Sequence, residues 1–135
     1  ILLIIAAHES KNKSGEGITL ILEEPEANMH PAWQSKLAEL FLDAKSTMGV
    51  NFIIETHSEY LIRKFQNLVA SKKFDNDDIV IHYIGRKNPK TKQPDVRNII
   101  INQNGTLSAE FGPGFFDEAD NLALELMKVR HFQKN

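Results

Sequence analysis

Cysteine is absent from the 135 residues, which excludes disulfides and thiolate metal sites and fits a reducing cytoplasm. An excess of either charge is lacking too. The formal net charge of -2 provides no general basic footprint for nucleic acid and no reason to invoke a membrane surface. No apolar run is long enough to span a bilayer: the opening ILLIIAA is short and no basic segment precedes it, so a membrane helix and a signal peptide are both poor readings. The first residue is not methionine, and the chain reads as a piece of something longer. Internal repeats and low-complexity tracts are also missing. What remains is the composition of a soluble globular unit, 41% hydrophobic and 25% charged, long enough to bury roughly two thirds of its unfolded surface.

The pattern along the chain alternates. Ile1 to about Lys11 reads as a buried helix ending in the polar loop KNKSGEG, and ITLILE (18–23) as a buried strand after Gly17. Pro31 opens a helix with Leu37, Leu40, Phe41, Ala44 and Met48 at three- and four-residue spacing, closed by Gly49. VNFIIE (50–55) is a second buried strand, and Ser58 can cap a helix whose stripe is Leu61, Ile62, Phe65, Leu68 and Val69. This order predicts an α/β fold with parallel strands covered on both faces by helices. After residue 72 the pattern changes to IVIHYIG, the loop RKNPKTKQPD, VRNIIIN and an Asn104-Gly105 turn, which together predict a small antiparallel β-meander. Asp117 is placed to cap a C-terminal helix through Leu122, Leu126 and Val129.

Three glutamates, Glu23, Glu24 and Glu26, follow directly on the first strand in the stretch LILEEPEANMHP. In an open parallel sheet, ligands sit outside the carboxyl ends of the strands, so these acids face a binding crevice. The second strand ends similarly, in ETHS. Adjacent parallel strands bring Glu23, Glu24, His57 and Ser58 near one another. Firmly held carboxylates beside a histidine and a hydroxyl suit magnesium and phosphate.

ITLILEEPEANMHP resembles the Walker B motif and D-loop of ABC-type ATPase heads, and NFIIETHS resembles their switch-histidine strand. With ETHSEYLI, the set looks most like prokaryotic AAA-family ATPases of the ABC class, related to the Rad50, RecF and OLD-type ATPases. GPGFFDEADNLALELMK is similar to a short C-terminal region of uncharacterised function found in that group. The resemblance implies the C-terminal half of a P-loop NTPase head. Residues 1–72 then carry Walker B, D-loop and switch histidine, and residues 73–135 form a β-meander and C-terminal helix completing the same domain. It implies ATP and Mg²⁺ as cofactors, with Glu23 the metal-associated acid, through water, and Glu24 the residue that polarises the attacking water. His57 is implied at the γ-phosphate, Ser58 as a further polar contact, and Ala27, Asn28, Met29 and His30 as a D-loop meeting an opposing subunit. Glu23 stands where most such heads have Asp, which shifts the carboxylate by about one methylene.

Neither a GxxxxGK[ST] loop nor an LSGG-like signature occurs in the chain. The expected partners are therefore the missing N-terminal half of the head, a second copy around ATP, and DNA or a nuclease effector; no membrane is implied, and the compartment is the cytoplasm. Alone, the chain is expected to be inactive. A different class of reading makes it a non-catalytic interaction or regulatory module that keeps the fold. A Toprim-like nuclease centre needs a DxD strand, which is not found. Glu26 reads as a D-loop or helix-start residue stabilised by a helix dipole. His8, His82 and His131 read as structural, and the basic loop Arg86, Lys87, Lys90 and Lys92 as a solvated hairpin tip. Trp33 and Phe41 read as core or subunit-contact residues, and Phe115 and Phe116 as an anchor for the C-terminal tail.

Overall fold

A computed structural model describes residues 2–15, 17–87 and 92–132. Two compact units are present, Ile1–Phe74 and Asp75–Asn135. In the first, helix α1 (Leu2–Ser14) precedes strand β1 (Ile18–Glu23), helix α2 (Pro31–Met48), strand β2 (Val50–Glu55) and helix α3 (Glu59–Ala70). β1 and β2 pair in parallel, Ile18 beside Val50 through Glu23 beside Glu55. Both strands thus end at the same level.

Local chemistry sets these boundaries. Pro31 occupies the start of α2, where its missing N–H is not needed, and Gly49 closes it at φ +62°, a left-handed conformation that suits glycine. The Ser58 hydroxyl accepts from the Leu61 N–H at 3.1 Å and caps α3. Phe41 tilts against Phe52 with ring centroids 5.0 Å apart, fixing α2 on the sheet. Ala38, Leu42, Val50, Leu61, Ile62, Leu68 and Val69 complete that core. Leu37 and Leu40, expected in the stripe, are only half-buried, because the fully buried line of α2 runs through Ala38 and Leu42.

Three expectations differ from the structure here. α1 runs through the polar segment to Ser14, because the Lys11 ammonium donates to the Met48 and Gly49 carbonyls at the end of α2 and ties the last turn down. The strands alternate in burial, and the neighbours Ile21 and Ile53 are 72% and 59% exposed, so one sheet face is open within the described residues. Trp33 is 62% exposed with the Lys36 ammonium over its ring, which rules out the core half of the core-or-subunit-contact expectation and leaves the other half.

The second unit starts with a 3-10 turn, Asn76–Asp78, and continues into an antiparallel pair, β3 (Ile81–Lys87) and β4 (Pro94–Ile99). Asp75 accepts from the Asp77 N–H and holds that turn, which delays β3 relative to the expected start at Ile79. Around Asn104 and Gly105 the chain reverses, with the Asn102 N–H donating to the Thr106 carbonyl and Ile101 bridging Leu107. The meander is thus a hairpin plus one short bridge. Tyr83, Phe111, Phe115 and Phe116 stack into an aromatic cluster, so the two phenylalanines do anchor the segment before helix α4 (Glu118–Phe132). Asp117 precedes α4, where its carbonyl accepts from the Asn121 N–H, while its carboxylate accepts from the Gly114 N–H of the preceding turn and from the Asn121 side-chain amide of the helix. Lys90 and part of the basic loop lie outside the described residues, as do the side chains of Arg86 and His131.

Candidate functional site at the strand ends

The chain leaves β1 through a tight reversal. The Glu24 N–H still donates to the Glu55 carbonyl at 2.9 Å, extending the ladder by one residue, and then Glu24 adopts φ +42°. That region is unfavourable for a side chain larger than glycine. Its carbonyl accepts from the Ala27 N–H, the Glu26 carbonyl accepts from the Met29 N–H, and Asn28 stands at φ +63°. A short loop of consecutive turns results. His30 ends it, its Nδ1 accepting from the Ala32 N–H at the start of α2.

The kink points Glu24 at the end of β2. Its Oε1 lies 3.4 Å from His57 Nε2, both side chains being more than half exposed. Glu23, Glu24, Ala27 and Glu55 line an open depression of about 320 Å³. Three carboxylates around one concavity attract a cation and repel an unaccompanied anion. Their hard oxygens match magnesium. Among the described residues no group of three or more acidic, histidine or cysteine side chains is placed to hold a metal ion. Glu55 did not stand out in the sequence, although its register opposite Glu23 follows once the two strands are paired in parallel.

The expected residues separate into two groups. Glu23, Glu24 and His57 are solvent-facing at the strand ends, and Ala27, Asn28, Met29 and His30 are exposed on the loop beside them. Ser58 is turned away. It is 5% exposed, and its hydroxyl donates to Gln34 Oε1 at 2.6 Å while accepting from Leu61. Glu26 is buried as well, at 6% exposure. Its partner is not the start of α2: its carboxylate accepts from the Thr56 hydroxyl and the His57 N–H, in the segment leading into α3. His8 and His82 are structural in character. His8 Nδ1 meets the Met48 carbonyl at 3.4 Å and His82 Nδ1 pairs with Asn98 across the hairpin.

Residues 1–63 match a family model described as "AAA domain, putative AbiEii toxin, Type IV TA system", and residues 74–126 match one described as "Protein of unknown function (DUF3696)". An OLD nuclease from Thermus scotoductus is 29% identical over 99 residues, covering 71% of this chain and 19% of that protein. The chain thus spans about a fifth of the length of the curated relative it matches. No solved structure matches. The mixed α/β architecture, with its parallel pair, small antiparallel sheet and C-terminal helix, fits a P-loop NTPase fragment. None of the described helices is long and apolar enough to cross a membrane.

Proposed function

We propose, starting from a chain that is related to AAA- and ABC-type ATPases through residues 1–63, that it supplies the Walker B half of an ATP-hydrolysing site. The observation that carries this reading is the approach of Glu24 Oε1 to His57 Nε2 at 3.4 Å across the ends of two parallel strands. An acceptor and a ring nitrogen at that distance can share one water or flank one phosphate oxygen.

Glu23 would hold Mg²⁺ through water, and the metal when bound supplies charge neutralisation of the phosphates. Glu24 accepts a proton from the water it orients. His57 donates a hydrogen bond toward the γ-phosphate. Ser58 reaches a phosphate only by giving up Gln34, so its contribution is mainly to cap α3 and hold His57 in place. Ala27, Asn28, Met29 and His30 face an opposing subunit in a dimer assembled around ATP. The phosphate-binding loop and signature come from sequence outside these residues, and the open face at Ile21 and Ile53 is where that part of the head packs. Without that part the chain does not hydrolyse ATP. The process served would be DNA-linked or defence-related, a reading to which the similarity to an OLD nuclease lends support on the DNA side.

The two polar residues of the switch segment should behave differently in the full-length protein. His57→Ala should lower ATP turnover by roughly 10-fold or more with an unchanged melting temperature, since the ring is exposed. Ser58→Ala should lose about 1–2 kcal/mol of stability through the lost cap. Full turnover with a large stability loss in His57→Ala would sink the switch assignment.

A further inference from the structure

Glu26 is a buried charged side chain that the proposed chemistry does not use. One oxygen, Oε1, accepts both the Thr56 hydroxyl at 2.6 Å and the His57 N–H at 3.0 Å. The Thr56 hydroxyl oxygen in turn accepts from the Ser58 N–H at 3.0 Å. The other oxygen, Oε2, is buried without a hydrogen-bond partner among the described residues. A carboxylate removed from water with half its acceptors unused is costly to keep. A plain turn residue has no need of it.

We propose that Glu26 is a positioning residue that fixes the backbone of Thr56, His57 and Ser58 and thereby holds the His57 ring against Glu24. Charge-assisted bonds to an N–H and a hydroxyl are short and directional, so one carboxylate sets two consecutive residues at once. Glu26 belongs to the same reversal that carries Glu24 and the exposed residues Ala27, Asn28 and Met29. A second tie runs in parallel: Gln34 donates to the Met29 carbonyl at 3.0 Å and accepts from the Ser58 hydroxyl. Any displacement of the loop tip is therefore transmitted to His57 through two side chains, Glu26 and Gln34. The loop that meets a partner subunit is thus mechanically coupled to the residue that senses the phosphate. This inference rests on the ATPase reading for its consequence, though the hydrogen bonds themselves do not.

The test uses the full-length protein, with ATP kinetics and amide hydrogen exchange across residues 50–60 measured on the same samples. Glu26→Ala should lower kcat by about 10-fold or more while KM for ATP stays within about twofold, and exchange at the His57 and Ser58 amides should accelerate. Glu26→Gln, which keeps an acceptor oxygen, should recover most of both. In a His57→Ala background Glu26→Ala should change kcat by less than about twofold, because the residue it positions is gone. Equal losses in both backgrounds, or unaltered exchange at His57 in Glu26→Ala, overturn the proposal. Should His57→Ala leave turnover intact, the switch assignment of His57 fails and the exchange result alone decides on Glu26, whereas a full-length protein without any ATP turnover would sink the ATPase reading. If Glu26→Ala does not fold, Thr56→Val removes the hydroxyl at nearly constant volume and is judged by the same kinetic and exchange criteria.

Discussion

Glu24 combines a left-handed backbone with a place at the strand ends, its Oε1 3.4 Å from His57 Nε2. A non-glycine residue at φ +42° costs on the order of 1 kcal/mol, and the surrounding turns and the ladder bond to Glu55 hold it there. Glu24→Gly would relieve that strain and add chain entropy on unfolding, two terms of similar size. Stability should stay within about 1 kcal/mol of the wild type while turnover disappears. A thermal melt beside an activity assay checks this, and a marked loss of stability would refute stored strain. The gathering of Glu23, Glu24 and His57 was legible in the sequence because strand ends and the order EEPE…ETHS are local signals. The hydrogen bonds of Glu26 were not. Its partners lie 30 and 31 residues away, and a helix-start reading used only the nearer helix.

At the scale of elements, Pro31, Gly49 and Ser58 marked the helix ends correctly, since capping is decided within a few residues. The length of α1 depended instead on Lys11 finding the end of α2, a tertiary contact invisible to periodicity. One sheet face is open among the described residues for a similar reason: apolar runs report what a strand can bury, not what these residues supply to bury it. Between α2 and α3, Lys64 donates to Glu39 at 2.6 Å, and that bond, followed by the charge of Lys64, holds the Glu39 carboxyl below its usual value of 4.5. A depressed folded-state value means the stabilisation is fully present above pH 4.5 and is lost as pH falls through the lower folded value. Glu39→Gln should therefore lower the melting temperature slightly at neutral pH and not at all in strong acid. A gap that persists at low pH would mean the pair is not responsible. Because the site is exposed, the effect should also shrink in high salt.

Taken whole, the molecule is two compact units that together cover about a fifth of a curated relative, with carboxylates gathered at one set of strand ends and no phosphate-binding loop in its own sequence. Backbone N–H groups and a lysine cradle the phosphates in P-loop enzymes, and isolated carboxylates cannot replace them. On the proposed reading, hydrolysis is accordingly a property of the assembled head, with Glu24 acting only when the remaining motifs surround ATP. Phosphate release by the full-length protein carrying Glu24→Gln, with ATP binding followed on the same sample, tests this most directly. Turnover should fall by about 100-fold or more while ATP remains bound, and the 135-residue chain alone should release none. Near-normal turnover in Glu24→Gln would contradict the assignment of Glu24 to the chemistry.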